Sequence, residues 1–303
     1  MKARFILILF SLGSMCIKGK AQLSYSQLDS TVSSLTQTIL NNIHADRRKS
    51  AVDSLTLLLR TNLTNVLSFK RDLHSAQGIS VLYPADSSFR LITGQYFVSD
   101  DEYRYYGGIQ DSSGKYTELK DNSYEIRSDG DQYGELTAAN WYGGLYYNLF
   151  SCTYQKQKYY LLLGFNGYSF YNKQKIIDVL HFDEHGQATF GKNVFLPDTG
   201  EVDHGDLRIL YTYSADASVK LNYDPGLGFI VLDHLMAMKE IYPGQGPTAV
   251  PDGSLEGYKY NAGLWQHINV LDQVPLENIE VMPILDKRKG KDIQGKDIKK
   301  KLK

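Results

Sequence analysis

Histidines and carboxylates close together in sequence are the residues of this chain best suited to chemistry, and they fall in three places. His181-Phe-Asp183-Glu-His185 is the densest group. On a strand alternate residues share a face, so two imidazoles and a carboxylate at positions 181, 183 and 185 could hold a zinc ion. Against that, Asp183-Glu-His-Gly186 has the composition of a hairpin turn, where Asp accepts from its own backbone, Gly takes positive φ and the side chains diverge into water. Asp203-His204-Gly-Asp206, in a polar loop, sets an imidazole beside carboxylates able to orient it as a general base. Asp233-His234 repeats the residue types, but neighbours on a strand point to opposite faces, so Asp233 does not orient His234. His204, Asp206 and His234 are thus the catalytic candidates, and His181, Asp183 and His185 the metal candidates. The acidic loops Asp100-Asp101-Glu102 and Asp129-Gly-Asp131 offer oxygen ligands without the spacing of a known calcium loop. The sequence lacks a Gly-x-Ser-x-Gly elbow, a His-Glu-x-x-His pair and a phosphate-cradling loop, and no cofactor is expected.

The elements that must position these residues are mainly strands. Trp141 to Phe195 reads as an antiparallel meander. Trp141–Phe150 and Lys158–Phe165 are joined by a polar link, Asn166-Gly167 offers a tight turn, and Lys175–Phe182 turns at Asp183–Gly186 into Gln187–Phe190. Upstream, the period of two sets in at Ile79–Tyr83, Phe89–Thr93, Glu102–Gln110 and Lys115–Leu119, after which Asp121–Tyr133 loses its pattern and reads as a surface connection. Downstream, Leu207–Tyr213 and Ala217–Tyr223 read as a second hairpin, Phe229–Leu235 as a strand, the Pro- and Gly-dense Ile241–Gly257 as a long loop, and Gly257–Asn261 with Leu264–Ile268 as a last pair around Ala262-Gly263. The 23 tyrosines suit half-buried sheet faces, where the ring packs and the hydroxyl reaches water. The expected architecture is a mainly β, antiparallel meander, an open barrel or curved sandwich ahead of a propeller, because no fixed repeat is visible.

Two amphipathic helices precede the strands. Leu28, Val32, Leu35, Ile39 and Ile43 recur at helical steps, as do Val52, Leu55, Leu59, Leu63, Val66 and Leu67, with a charged break at His44–Lys49 and Ser50 as the N-cap of the second helix. The divisions expected are a leader at 1–21, a helical segment at 22–77, a β-rich domain at 78–285 and a basic tail at 286–303.

The leader has the form of a cleavable secretory signal: Lys2 and Arg4, then Phe5-Ile-Leu-Ile-Leu-Phe10, then Gly19-Lys-Ala21 with small residues where a signal peptidase reads. The apolar run is shorter than the ~20 residues of a spanning helix, so the mature chain is expected to have no transmembrane segment. Met15 before Cys16, where a small residue is wanted, argues against a lipoprotein. Removal of the leader would leave Cys152 alone, a filler on a sheet rather than a disulfide partner. The tail carries +6 and the leader +4, so the overall −1 leaves residues 22–285 near −11. An acidic, exported body excludes nucleic acid as the expected partner, while the tail could contact anionic surfaces.

Phe89-Arg-Leu-Ile92, Tyr105-Tyr-Gly-Gly-Ile-Gln110, Trp141-Tyr-Gly-Gly-Leu-Tyr-Tyr147, Tyr160-Leu-Leu-Leu-Gly164, Lys175-Ile-Ile-Asp-Val-Leu180 and Val231-Leu-Asp-His-Leu235 occur in an order that resembles a group of exported Bacteroidetes proteins of unknown function, over roughly residues 80–270. The resemblance implies export and one β-rich body, and carries over no site. The function expected is a non-catalytic binding or structural module of the cell envelope, with an envelope protein or glycan as partner. The second reading is a periplasmic or secreted hydrolase of glycans or peptides working through loop carboxylates and a histidine.

Overall fold

The computed structural model describes residues 25–71, 73, 77–99, 101–197 and 205–269. The leader, the basic tail and His204 lie outside them. The helices are α1 (Tyr25–Asn41), α2 (Ala45–Asn62), α3 (Val66–Phe69) and α4 (Ser123–Asp129). The strands are β1 (Ile79–Leu82), β2 (Phe89–Ser99), β3 (Glu102–Asp111), β4 (Tyr116–Lys120), β5 (Leu136–Thr137), β6 (Leu145–Tyr154), β7 (Gln157–Asn166), β8 (Asn172–Phe182), β9 (Ala188–Phe190), β10 (Phe195–Leu196), β11 (Ile209–Ser214), β12 (Leu221–Asp224), β13 (Phe229–Met238), β14 (Thr248–Asn261) and β15 (Leu264–Ile268). None of these helices is long and apolar enough to cross a membrane.

Among the described residues the strands form three open sheets, and none closes into a barrel. The first runs β1-β2-β3-β4; the central one runs β5-β9-β8-β7-β6, with β11 also on β8; the outer one runs β10-β15-β14-β13-β12. All pairings within them are antiparallel except the short β10–β15 contact. α1 and α2 cover the free face of the first sheet, giving four layers. Alternation along each strand assigns its side chains to layers. On β7, Tyr160 and Leu162 enter the core shared with the first sheet, and Tyr159, Leu161 and Leu163 the core shared with the outer sheet. A strand buried on both faces reads as an unbroken apolar run, which is why Tyr159–Leu163 does. On β2, Phe89 and Leu91 face the central sheet while Ile92 joins Leu28, Val32, Leu55 and Leu59 under the helices.

Glycines seat the tyrosine rings of this body. A Cβ on Gly94 would collide with the Tyr106 ring, one on Gly108 with Tyr116, and one on Gly164 with Tyr146. A ring laid across a glycine covers backbone a bare strand would leave open. The Gly-Gly of Tyr105-Tyr-Gly-Gly-Ile is therefore a packing device.

Several local expectations change. The two helices part slightly earlier than the charged stretch His44–Lys49, at residues 42–44: α2 begins at Ala45, its N-cap is His44, and Ser50 lies inside it. Arg48 is buried there because Nε donates to the Phe97 carbonyl (2.6 Å) and Nη1 to that of Asn42 (2.6 Å), while the guanidinium lies 5.1 Å from the Phe97 ring centre. It thereby satisfies a carbonyl just past the end of α1. Part of Asp121–Tyr133 is helix α4, closed by Gly130 at φ 81°. Asn166-Gly167 is not a two-residue turn; Asn166 Oδ1 accepts from Tyr168 N, and Tyr168 takes the positive φ. The hairpin expected at 207–223 does not form, since β11 pairs with β8 and β12 with β13, the chain changing sheets between them. The long loop contracts because β14 begins at Thr248; its Pro251 and Gly253 lie at an irregularity opposite Asp233–Leu235, where a proline and a positive-φ glycine fit.

Candidate binding groove

The sequence candidates occupy separate places. Asp183 Oδ1 accepts from the backbone of His185 (2.9 Å) and Gln187 (2.7 Å), so it closes the β8–β9 turn, where His185 is exposed. His181, near the end of β8, sits within 3.2 Å of the Gly191 carbonyl and 3.5 Å of Glu135. Burial first, and Lys192 second, hold its imidazole below the usual histidine range. Among the described residues no three His, Cys, Asp or Glu side chains are grouped to hold a metal ion. Asp206 lies near Tyr133 and Tyr258, where its negative charge adds to the effect of burial in opposing ionisation of both phenols.

His234 does acquire a carboxylate, and it is not Asp233. The irregularity between β13 and β14 brings Asp252 Oδ2 to 2.8 Å from His234 Nδ1. Ser254 is adjacent, yet its hydroxyl donates to Asp252 Oδ1 (2.7 Å) rather than to the imidazole. A nucleophilic serine needs the base to take its proton, so this arrangement secures the irregular ribbon instead of activating Ser254. Sequence reading missed Asp252 because Pro251-Asp-Gly253 looked like loop. It also missed a second pair: His267 Nε2 lies 3.2 Å from Glu256 Oε2 at the seam between the central and outer sheets. The Tyr211 hydroxyl donates there to that of Tyr258 (3.2 Å), whose own pKa is pushed up to about 12, chiefly by burial. Cys152 is buried in the same core, which pushes its thiol to about 11 and makes it a poor nucleophile.

A concavity of about 660 Å³ lies elsewhere, between α2 and the helix-facing side of β2, β3 and β4. That is ample for a small ligand or a short piece of a polymer. One wall is α2, whose Asp46, Lys49, Asp53, Thr56 and Arg60 recur at spacings that keep them on one helical face. The core stripe Val52, Leu55 and Leu59 faces the sheet beneath, so burial of one side of α2 fixes the polar side at the groove. The opposite wall and floor are Tyr96, Glu102, Arg104, Tyr106, Glu118, Lys120 and Asp121.

The charges of the groove largely answer one another. Lys49 meets Asp53 at 3.0 Å, Arg60 meets Glu118 at 3.6 Å across the groove, and Arg104 Nε donates to Glu102 at 2.7 Å. Arg104 also stacks 4.2 Å from the Tyr124 ring centre, and Arg127 lies 4.6 Å from that ring and 4.7 Å from that of Tyr168, so alternating cations and rings brace the groove's outer end. Burial raises the pKa of the Asp121 carboxyl although it accepts from Tyr105 N (2.8 Å) and Ser123 N (2.9 Å). Tyr96 is half-buried in the floor, and burial raises its phenol pKa. Tyr106 is 4% exposed, and its hydroxyl has no hydrogen-bond partner among the described residues. No signal in the sequence pointed to this groove, because its walls come from an amphipathic helix and three strands some fifty residues further on. No protein-family model, curated protein or solved structure matches this chain.

Proposed function

We propose that this chain is a non-catalytic binding module of the cell envelope and that its ligand lies in the groove between α2 and β2–β4. The observation that carries the reading is the groove itself: an open, polar concavity of about 660 Å³ between a helix and a sheet. Its polar side chains come from two elements held by their own buried faces, so the walls are in place before a ligand arrives. Export, expected from the leader, puts such a module among envelope components. The histidine–carboxylate pairs at His234–Asp252 and His267–Glu256 hold strands together and lie outside the groove lining.

Hydrogen exchange of the mature protein, with and without soluble glycan and peptide fractions of the envelope, tests this. The expected result is added protection confined to α2 and β2–β4. Protection confined to the β8–β9 turn or to the 234–254 ribbon would overturn it and favour the hydrolase reading.

A further inference from the structure

Resting on the groove as the binding surface, we infer that its ligand is a neutral polyhydroxylated chain, a short stretch of uncharged oligosaccharide. The lining holds Lys49, Arg60, Arg104 and Lys120 against Asp46, Asp53, Glu102, Glu118 and Asp121, and three of these cations already meet carboxylates. A charged ligand would compete with a partner that each of these three cations and carboxylates already has, in a setting solvated enough for screening to leave it little net gain. A sugar diol displaces neither. Each hydroxyl donates to a carboxylate and accepts from a neighbouring ammonium or guanidinium. Tyr96, half-buried in the floor, supplies a ring against which a pyranose face can lie.

A polypeptide fits less well. It would be recognised by adding a strand to an open edge or by seating apolar anchors. β2 and β3 are paired on both sides, and at its Lys120 end the outer edge of β4 is engaged, Lys120 N donating to the Ala138 carbonyl (2.8 Å) and Trp141 N to that of Lys120 (3.0 Å). The α2 wall offers chiefly ions.

The test is an array of immobilised neutral, uronate-containing and sulfated oligosaccharides beside a random peptide library, probed with the full chain and with Tyr96→Ala and Thr56→Trp. Neutral glycans should be retained, with less than about a twofold change between about 0.05 and about 0.5 M salt. Tyr96→Ala should weaken binding about tenfold, and Thr56→Trp should abolish it by filling the groove. Retention of only the uronate or sulfated glycans, lost in high salt, overturns the neutral class; retention of only peptides overturns the glycan class. In either case blockage by Thr56→Trp leaves the groove reading standing. Binding that Thr56→Trp does not affect, or no binding on any arm, overturns both.

Discussion

Replacing Asp178 by asparagine tests the account of what ties the strands of the central sheet to one another and to the segment at 132–134. Asp178 and Arg208 are both fully buried, with Arg208 Nε donating to Asp178 Oδ1 at 3.0 Å. Tyr146 donates its hydroxyl to the other carboxylate oxygen at 2.6 Å and accepts from Trp141 Nε1 at 3.2 Å. Arg208 in turn ties the carbonyls of Gln132 and Gly134, each at 2.8 Å. Asparagine preserves the shape and removes the charge, stranding a guanidinium away from water. Breaking one side of a buried pair costs about 3–5 kcal/mol. In a domain of this size that lowers Tm by roughly 6–20 °C, at about 2–4 °C per kcal/mol. Urea and thermal unfolding followed by circular dichroism measure it. Asp178→Leu combined with Arg208→Met should lose much less than the two single losses together, because an apolar replacement of a whole buried pair is often near neutral. A loss below about 1 kcal/mol for Asp178→Asn, or strict additivity in the double variant, would refute the reasoning.

Other expectations follow from local geometry. The β6–β7 turn puts Gln155 at φ 47° and Lys156 at φ 66°, a left-handed pair that Asn-Gly adopts with less strain. Gln155→Asn with Lys156→Gly should therefore stabilise the fold by about 1 kcal/mol, read as a higher unfolding midpoint. His181 is held below its ordinary range in the folded state, so its contribution is fully present above the unfolded value near 6.5 and is lost as pH falls below it. Unfolding midpoints should thus decline on acidification below that point, and His181→Gln should flatten that part of the profile. Cys152, buried with its thiol at about 11, should react with a disulfide reagent at neutral pH only at the rate of unfolding; fast labelling of the native protein would contradict its placement.

The parts of the fold legible in the sequence are those set by neighbours along the chain. β6 to β9 follow their alternation, Asp183–Gly186 turns through its own side chain, and Ala262-Gly263 carries φ values of 51° and 95° between β14 and β15. What escaped depends on distant partners. Leu207–Tyr213 has the same apolar content whether it pairs with the next strand or with β8, and only the unfilled edge of β8 decides. Pro251 and Gly253 argued for loop because proline cannot donate to a ladder, but an irregular position opposite Asp233–Leu235 leaves that donor unneeded. Nothing beside them in the chain marks Arg48 and Arg90 as buried: Arg48 reaches the Phe97 carbonyl, 49 residues away, and Arg90 donates to Gln110 (2.9 Å) and to the Arg71 and Ser68 carbonyls (2.6 and 2.9 Å). The candidate site suffered most, since histidine and acidic clusters drew attention to turns while the groove's charges lay scattered between positions 45 and 121.

The central claim is that ligand meets this protein between α2 and β2–β4, and site-specific photocrosslinking addresses it most directly. A benzophenone side chain at Thr56, on the groove wall, is compared with one at Glu184, in the exposed β8–β9 turn, each protein being mixed with its native envelope fraction. The account predicts one discrete adduct from position 56, competed by excess unmodified protein, and none from position 184. An adduct from 184 with none from 56 would contradict it.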